Sequence, residues 1–442
     1  MLTPSHLTRL NLSFDDDHAV AFAGLLQPSL LAQRLGLQAL LDRHIVLGKA
    51  PGHAHPGHKA MTLIHSLLAG GECIDDANAL RTAGTAAVLG HEVRAPSTLG
   101  TFLRSFTWGH IRQLDHVAGE LLTRAWQAGA RHAEETVTLD LDSTLCETFG
   151  KQKQGAKVSY KGTHSYHPLL ATVAGSGEVV HCRLRGGNAH SSRGAQSFLA
   201  ESFQRLRRAG ASGSLVLRAD SGFYTYAVVE ACRKANARFS ITVVLQRNVL
   251  QVIDTIPEKA QTQVPSWQEG GAEVAEVEYF AFQHKQKQSL RLIAVRTQSH
   301  SGDQLALIKP YTYHAFVTDR EGDVLSLEQD HRRHAEVENN IRDLKYGLGL
   351  NHLPSGRFAA NAAWLVLNSI AHNLAIWVGR IGLPGQPRLI MRTLRHRFLC
   401  LPGRLTRSAR TWTLHLPRSW PWASAFLLAL KRIRSIPPPI PA

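Results

Sequence analysis

Two segments of the chain carry carboxylates at spacings that could serve metal chemistry. Asp140 and Asp142 alternate with leucines in a predicted strand, so both side chains lie on one face of that strand. Asp220 directly follows a second apolar strand, at the position where α/β sheets gather ligands. Carboxylates on an apolar element are costly unless a cation or hydrogen-bond donors compensate them. A cation site is one interpretation, and solvated acids at strand ends and turns are the alternative.

A third acidic residue, Glu338, lies in a segment with helical periodicity and basic neighbours. Lys345 follows it by seven residues and His331 precedes it by seven, about two helical turns in each direction. His334 and Arg342 lie four residues away on either side. Such a face could place a carboxylate at a metal ion and the basic groups at DNA phosphates. A solvated helix face with ion pairs is the alternative.

Two Asp and one Glu supply the oxygen ligands that Mg²⁺ prefers. Two ions about 3.5–4 Å apart can clamp a phosphoryl displacement, one at the attacking oxygen and one at the leaving oxygen. We therefore expect two Mg²⁺ ions per site, with Mn²⁺ able to substitute, and one Asp bridging the pair.

The charge of the chain predicts a nucleic-acid partner. Its formal net charge is +16 and its pI is about 10.0. The 99 residues after Asp343 contain 14 Lys and Arg and no acidic residue. Lys153 and Lys157 belong to a lysine-rich loop shortly after Asp142. We expect this loop to face DNA, and a flexible solvated loop is the alternative.

Cysteine usage and the N-terminus predict a reducing compartment. The five cysteines are odd in number and form no CxxC pair, so a disulfide framework or zinc finger has little support. The first 17 residues contain no apolar signal core. The most apolar helical stretch, residues 362–378, includes Asn368 and His372, which favours a buried core helix over a membrane span. We expect a cytoplasmic protein.

Hydrophobic periodicity predicts an α/β core between helical ends. Strands are predicted at residues 136–142, 169–174, 179–184, 214–219 and 238–245, and again at 274–282, 290–296 and 314–318. Helices are predicted at residues 195–209 and 224–235. The predicted division is a helical DNA-binding region (1–132), a first core part (133–246), a β-rich insertion (247–322), a second core part with Glu338 (323–385) and a basic C-terminal region (386–442).

Two local features of the N-terminal region are also predicted. The runs Lys59–Ala69 and Cys73–Arg81 flank two glycines and could form a helix-turn-helix or an ordinary helical hairpin. A helix is predicted to begin at Pro96 with Ser97 as its N-cap, and a longer one to span Ile111–Trp126.

Four segments, in this order, carry a family resemblance: Leu139–Thr144, residues 151–170, Arg218–Phe223 and Glu338–Lys345. The chain resembles the DDE transposases of bacterial insertion sequences, most closely the group called insertion sequence thirteen-eighty, related to the insertion sequence four group. The related signature has Tyr and Arg where this chain has His331 and His334.

The resemblance implies an RNase H-like catalytic core interrupted by a β-rich insertion. It implies that Asp142, Asp220 and Glu338 are the catalytic and metal-binding triad, with Asp140 as the alternative first ligand. Lys345, with Arg342, His331, His334, Lys153 and Lys157, is then expected to contact DNA.

The implied function is cut-and-paste transposition. A homodimer would excise the element at its terminal inverted repeats and transfer it into target DNA, without a membrane partner. A domesticated DNA-binding relative that no longer cuts, and an RNase H-like nuclease without strand transfer, are the alternatives.

Overall fold

A mixed β-sheet of nine strands, flanked by helices, forms the centre of the computed structural model, and two three-stranded sheets accompany it. The structure describes residue 6 and residues 8–50, 52–131, 135–265, 267, 271–282, 288–298 and 311–438. The strands are β1 (Ala19–Val20), β2 (Val137–Ser143), β3 (Cys146–Glu147), β4 (Lys157–Val158), β5 (His164–Tyr166), β6 (Leu169–Val173), β7 (Val179–Arg183), β8 (Leu215–Ala219), β9 (Ala237–Thr242), β10 (Thr262–Gln263), β11 (Ala272–Ala281), β12 (Gln288–Gln298), β13 (Tyr311–Thr318), β14 (Gly403–Ser408) and β15 (Thr411–His415).

Helices precede, connect and follow these strands. In the described residues the α-helices span Leu26–Arg34, Leu37–His44, Pro56–Ala69, Ala83–Leu89, Pro96–Arg104, Trp108–Ala125, Ala195–Arg208, Tyr226–Lys234, Arg247–Ile253, Val324–Arg332, Glu336–Arg342, Phe358–Gly382, Met391–Leu394 and Ala423–Ser435. The helices predicted at 195–209 and 224–235 and the strands predicted between residues 136 and 245 are confirmed, with ends that differ by up to three residues.

The large sheet has the strand order β10-β11-β12-β13-β9-β8-β2-β6-β7. Among the strands that come first in the chain, β6 pairs antiparallel with both β2 and β7. β8 is parallel to both β2 and β9. The helix Tyr226–Lys234 makes the crossover that the parallel pair β8 and β9 requires. The C-terminal ends of β2 and β8 therefore lie side by side at one edge.

The strands predicted at residues 274–282, 290–296 and 314–318 are confirmed as β11, β12 and β13, and they continue the central sheet. β13 pairs antiparallel with β9, with Val317 opposite Ile241. These strands bury their own small hydrophobic cluster, which includes Val274, Ile293 and Phe316. Alternating burial along β11 explains why the sequence pattern was readable there.

The N-terminal and C-terminal helices pack together, while the division of the chain into domains stays a prediction. Phe358–Gly382 contacts Pro56–Ala69, Trp108–Ala125 and Ala423–Ser435, and the first strand pairs with β14. By length and composition Phe358–Gly382 could cross a membrane, but its most apolar window is 94% buried inside the protein. These helices and the sheet share one hydrophobic core.

Two local predictions in the N-terminal region are wrong. The segment after Gly71 forms a 3₁₀-helix, Asp75–Arg81, and not a second α-helix, so neither a helix-turn-helix nor a helical hairpin forms there. The Asp76 carboxylate accepts the backbone N–H groups of Glu72 and Cys73 at 2.8 and 3.0 Å, which competes with helical bonding. Ser97 is not an N-cap, because Pro96 is already the first helical residue.

A buried glutamate joins three parts of the fold. Glu178, fully buried in the turn before β7, accepts hydrogen bonds from the indole N–H groups of Trp126 at 3.1 Å and Trp377 at 2.6 Å. The Ser176 hydroxyl donates to its second oxygen at 2.7 Å. The carboxylate thereby connects an N-terminal helix end, the sheet and the long C-terminal helix, with donors on both oxygens.

A buried ion pair joins β2 and β8 at the centre of the sheet. Asp140 lies opposite Arg218 in the parallel register. The Arg218 guanidinium donates to both carboxylate oxygens, at 2.8 and 2.9 Å, and the two side chains are 1% and 0% exposed. Its remaining nitrogen donates to the backbone oxygen of Asp330 at 2.6 Å. The pair thus also anchors the helix Val324–Arg332 to the sheet.

We predict that Arg218→Met lowers the free energy of unfolding by about 3–5 kcal/mol, because it leaves the Asp140 charge buried without its partner. The matched control is Arg238→Met on the neighbouring strand β9, where the arginine side chain is 55% exposed and its ion pairs lie at the surface. That control should change stability by less than about 1 kcal/mol. Denaturant unfolding monitored by circular dichroism measures both, and equal losses in the two variants contradict the prediction.

Candidate active site

The register of β2 and β8 brings Asp142 and Asp220 together. Leu141 lies opposite Ala219, so the two aspartates are the next residues on neighbouring parallel strands. The backbone N–H of Ser143 donates to Asp142 Oδ1 at 2.6 Å, and that of Gly222 donates to Asp220 Oδ1 at 2.9 Å. One oxygen of each carboxylate is therefore held by the backbone of its own turn.

The electrostatics of these aspartates indicate carboxylates whose negative charge is only partly compensated by the surrounding groups. Burial raises the pKa of Asp142 to about 6, and the negative charges of Asp220 and Glu338 raise it further against the opposing effects of the Ser143 N–H and His334. Burial also raises the pKa of Asp220. Asp142 and Asp220 thus form an acidic pair at the ends of β2 and β8, and the negative charge of Glu338 helps to raise the pKa of Asp142.

Glu338 is exposed on a short helix, Glu336–Arg342, that is not a regular continuation of its neighbours. A 3₁₀ turn precedes this helix, and a π turn that contains Lys345 follows it. The seven-residue spacing therefore does not correspond to two regular turns. Lys345 nevertheless reaches the end of β2, where its ammonium donates to the backbone oxygen of Leu145 at 2.9 Å and to the Thr144 hydroxyl at 3.5 Å.

Asp140 is not available as a metal ligand in this structure, which corrects the alternative assignment. Both of its oxygens accept from Arg218, and the Nδ1 of His334 lies 3.0 Å from one of them. The two aspartates share a strand face as predicted, but Asp140 lies deeper and is covered by its cross-strand partner. Of the two aspartates, Asp142 is the one whose carboxylate has no arginine partner among the described residues.

His331 does not fit its predicted role at a phosphate. Its ring is 3% exposed, stacks on Phe316 at 4.0 Å between centroids, and holds the hydroxyls of Ser240 and Thr242 at 2.8 and 3.0 Å. Both ring nitrogens are occupied, and burial lowers its pKa well below the usual value. His334 is also mostly buried, with a side chain 14% exposed beside Asp140.

Two of the other three predicted DNA-contacting side chains are exposed, and the third is half-buried. Lys157 and Arg342 are exposed, and Arg342 donates to the Asn339 side chain at 2.6 Å. Lys153 is half-buried and donates to the backbone oxygen of Leu353. Lys157 and Arg342 are therefore the accessible cations among these three.

Sequence reasoning missed two exposed aromatic side chains close to the lysine-rich loop. The strands β3, β5 and β4 form a small sheet directly after Asp142. Near its tip lie Phe149, 97% exposed, and Tyr160, 78% exposed. The exposed Lys157 and Lys161 flank Tyr160. The local sequence does not predict that these two aromatic side chains are exposed, because their exposure depends on how the rest of the chain packs around them.

A separate polar cluster has the spacing of metal ligands, but arginines already neutralise its carboxylates. Among the described residues, Asp115, His181 and Glu201 are the group whose ligand atoms lie within 4.8 Å of one another. Asp115 pairs with Arg205, and Glu201 pairs with Arg183 at 3.1 Å, so both carboxylates are already compensated. We interpret the cluster as a structural ion network.

The chain matches the family model described as Transposase DDE domain group 1 over residues 3–438. No curated protein matches it. Among solved structures it is similar to a piggyBac transposase synaptic complex with hairpin DNA, determined by cryo-EM. That similarity has a TM-score of 0.46 and 10% sequence identity, and covers 84% of this chain and 78% of the other. Because the family model spans almost the whole length, the chain belongs to the Transposase DDE domain group 1 family.

Proposed function

We propose that this member of the family is an active DNA transposase that excises a mobile element at its terminal inverted repeats and joins it to target DNA. The observation that carries the proposal is the parallel register of β2 and β8, which sets Asp142 beside Asp220. Glu338 completes the set, since its charge contributes to the raised pKa of Asp142. On this proposal the three carboxylates, from distant parts of the chain, act together at the ends of β2 and β8, where ligands gather in α/β folds.

We assign β7, β6, β2, β8 and β9 to an RNase H-like core. Their spatial order, with β2 antiparallel to β6 and parallel to β8, supports this assignment. On this proposal Glu338 lies on the helical part that follows the β-rich insertion. We also assign the chain to the insertion sequence thirteen-eighty group, and propose that it acts as a homodimer on double-stranded DNA in the bacterial cytoplasm.

The donor set fits divalent cations. Asp142, Asp220 and Glu338 offer oxygen ligands, and the burial of the two aspartates without a matching positive charge is the condition that a bound cation relieves. When bound, Mg²⁺ or Mn²⁺ supplies the positive charge that activates an oxygen nucleophile and stabilises the leaving oxygen. We propose two ions per site.

Residues of the chain itself orient the site and its substrate. The backbone N–H groups of Ser143 and Gly222 fix one oxygen of each aspartate, which leaves little freedom for their carboxylates. Lys345 sits at the end of β2, where its ammonium can meet a phosphate beside the triad. Lys157 and Arg342 are exposed and can contact the DNA backbone without displacing an existing carboxylate partner among the described residues.

We predict that Asp220→Asn and Glu338→Gln each slow Mg²⁺-dependent cleavage of a labelled duplex carrying the element's end by about 10²–10⁴-fold. Losing one ligand removes several kcal/mol of transition-state stabilisation, and 1.36 kcal/mol corresponds to tenfold. The matched control is Glu336→Gln, two residues away on the same helix, where the carboxylate pairs with Arg333 at 3.1 Å. It should cleave within about threefold of wild type.

Duplex binding in metal-free buffer should persist in all three variants. If wild type binds DNA and no variant or condition yields cleavage, the protein is the non-cutting relative. If it cuts and never joins ends to a target duplex, it is a nuclease without strand transfer. Equal loss of cleavage in Glu336→Gln and Glu338→Gln removes Glu338 from the site.

We also predict that Asp142→Asn stabilises the metal-free protein at pH 7. The Asp142 carboxyl loses its proton near pH 3.8 when unfolded and near pH 6 when folded, so its charge opposes folding fully above about pH 6 and not below about pH 4. A difference of about two pKa units corresponds to roughly 3 kcal/mol at most. Unfolding in EDTA at pH 7 and pH 4 should show a gain at pH 7 that disappears at pH 4. A variant less stable than wild type at pH 7 contradicts this charge balance.

A further inference from the structure

A second basic site lies in a cleft of about 880 Å³ away from the triad. The end of the helix Phe358–Gly382 and the loop after it form one wall. Residues 394–398 and the helix Ala423–Ser435 form the other, and the turn between β6 and β7 closes one end. The cleft is therefore built mainly from the C-terminal part of the chain, which carries no acidic residue after Asp343.

Arginine is the only charged residue type among the described residues that line this cleft. The five side chains are those of Arg131, Arg380, Arg388, Arg397 and Arg432. Positive charges around one concave surface repel one another unless carboxylates of the chain or a bound anion offset them. The lining therefore indicates an anionic ligand.

Two of these arginines already have carboxylate partners. Arg131 pairs with Glu135 at 3.5 Å, and Arg388 pairs with Asp343 at 3.3 Å. Burial lowers the pKa of Arg131, while the negative charges of Glu178 and Glu135 oppose this shift and the charge of Arg380 adds to it. These pairs neutralise part of the cleft and leave the other three arginines to set its net charge.

The remaining three arginines have no carboxylate within ion-pair distance in the described part of the chain. Arg380 donates to the backbone oxygen of Ala130 at 2.7 Å, and Arg432 donates to that of Gly382 at 3.4 Å. The guanidinium of Arg397 lies over the Trp422 ring, 5.2 Å from its centroid. Backbone and ring contacts orient these groups without neutralising them, so their charge is available to a ligand.

The cleft and the triad lie toward opposite ends of β2. Gly175 and Ser176, in the turn that lines the cleft, follow Ala174, whose N–H donates to the backbone oxygen of Thr138 at 2.9 Å. Asp142 lies four residues further along the same strand, about 13 Å away at the usual strand rise. The arginines of the cleft are therefore not part of the carboxylate site.

We propose that this arginine-lined cleft binds the phosphate backbone of double-stranded DNA at a second position, apart from the triad. The proposal rests on the proposed function in taking DNA as the partner. Several separated guanidinium groups match a run of phosphates better than one small anion, and Arg donates two parallel hydrogen bonds to a phosphate. The cleft exposes no described acidic side chain that would repel DNA.

The test measures DNA binding without cleavage. In an Asp220→Asn background in metal-free buffer, the affinity for a duplex is measured across a range of salt concentrations with and without Arg397→Gln/Arg432→Gln. Each lost phosphate contact lowers the slope of log affinity against log salt by about 0.9, so the double variant should be shallower by about 2. The control, Arg208→Gln/Arg233→Gln, removes two exposed helix arginines outside the cleft and should leave the slope within about 0.5.

A second pair of variants separates charge from folding. Arg397→Lys/Arg432→Lys keeps both charges and should retain most of the slope, whereas a folding defect from loss of the arginine contacts would affect both pairs alike. Equal slopes for the Gln double variant and its parent overturn the proposal, as do equal losses in the cleft and control variants. A slope unchanged by the Gln substitutions together with competition by an acidic polypeptide assigns the cleft to a protein partner. Absence of salt-dependent DNA binding in the parent itself contradicts the proposed function, a result distinct from failure of the cleft.

Discussion

The buried ion pair between Asp140 and Arg218 is the constraint on which the geometry of the site depends. Each residue lies two positions before a carboxylate of the site, on neighbouring parallel strands. The same register that satisfies the pair therefore aligns Asp142 with Asp220. A slip of one residue would separate the charges and turn the side chains to the other face. A buried pair adds little net stability, but leaving it broken is costly, so it specifies one register more than it strengthens the fold.

The contrast between the buried Glu178 and the half-buried Asp142 shows what distinguishes the site from the core. Glu178 is fully buried, and its oxygens accept from two tryptophans and a serine, so the fold itself satisfies it. Asp142 has one backbone donor, a neighbouring aspartate and a pKa raised to about 6. The fold thus accepts an uncompensated charge at the sheet edge that it compensates elsewhere. Such a local cost is typical of positions that a ligand completes.

Local pattern predicted most of the central strands, and distant partners decided the roles of several residues. Apolar runs and alternation predicted β2, β8 and β11, because their burial is continuous or alternates over several residues. Local pattern could not separate Asp140 from Asp142, since the difference is Arg218, 78 residues away. The family resemblance implied that His331 contacts DNA, whereas the ring is enclosed by Phe316 and by two hydroxyls of β9, an arrangement that depends on the pairing of β13 with β9.

The structure shows where part of the positive charge of the C-terminal segment lies. The sequence showed basic residues without acidic ones after Asp343, which alone indicates affinity for phosphates but no surface. In the structure five arginines converge on one cleft, and one of them, Arg388, also donates to Asn340 and Asp343. Asn340 lies on the helix that carries Glu338, so Arg388 connects the cleft to that helix, although the cleft and the two aspartates lie toward opposite ends of β2.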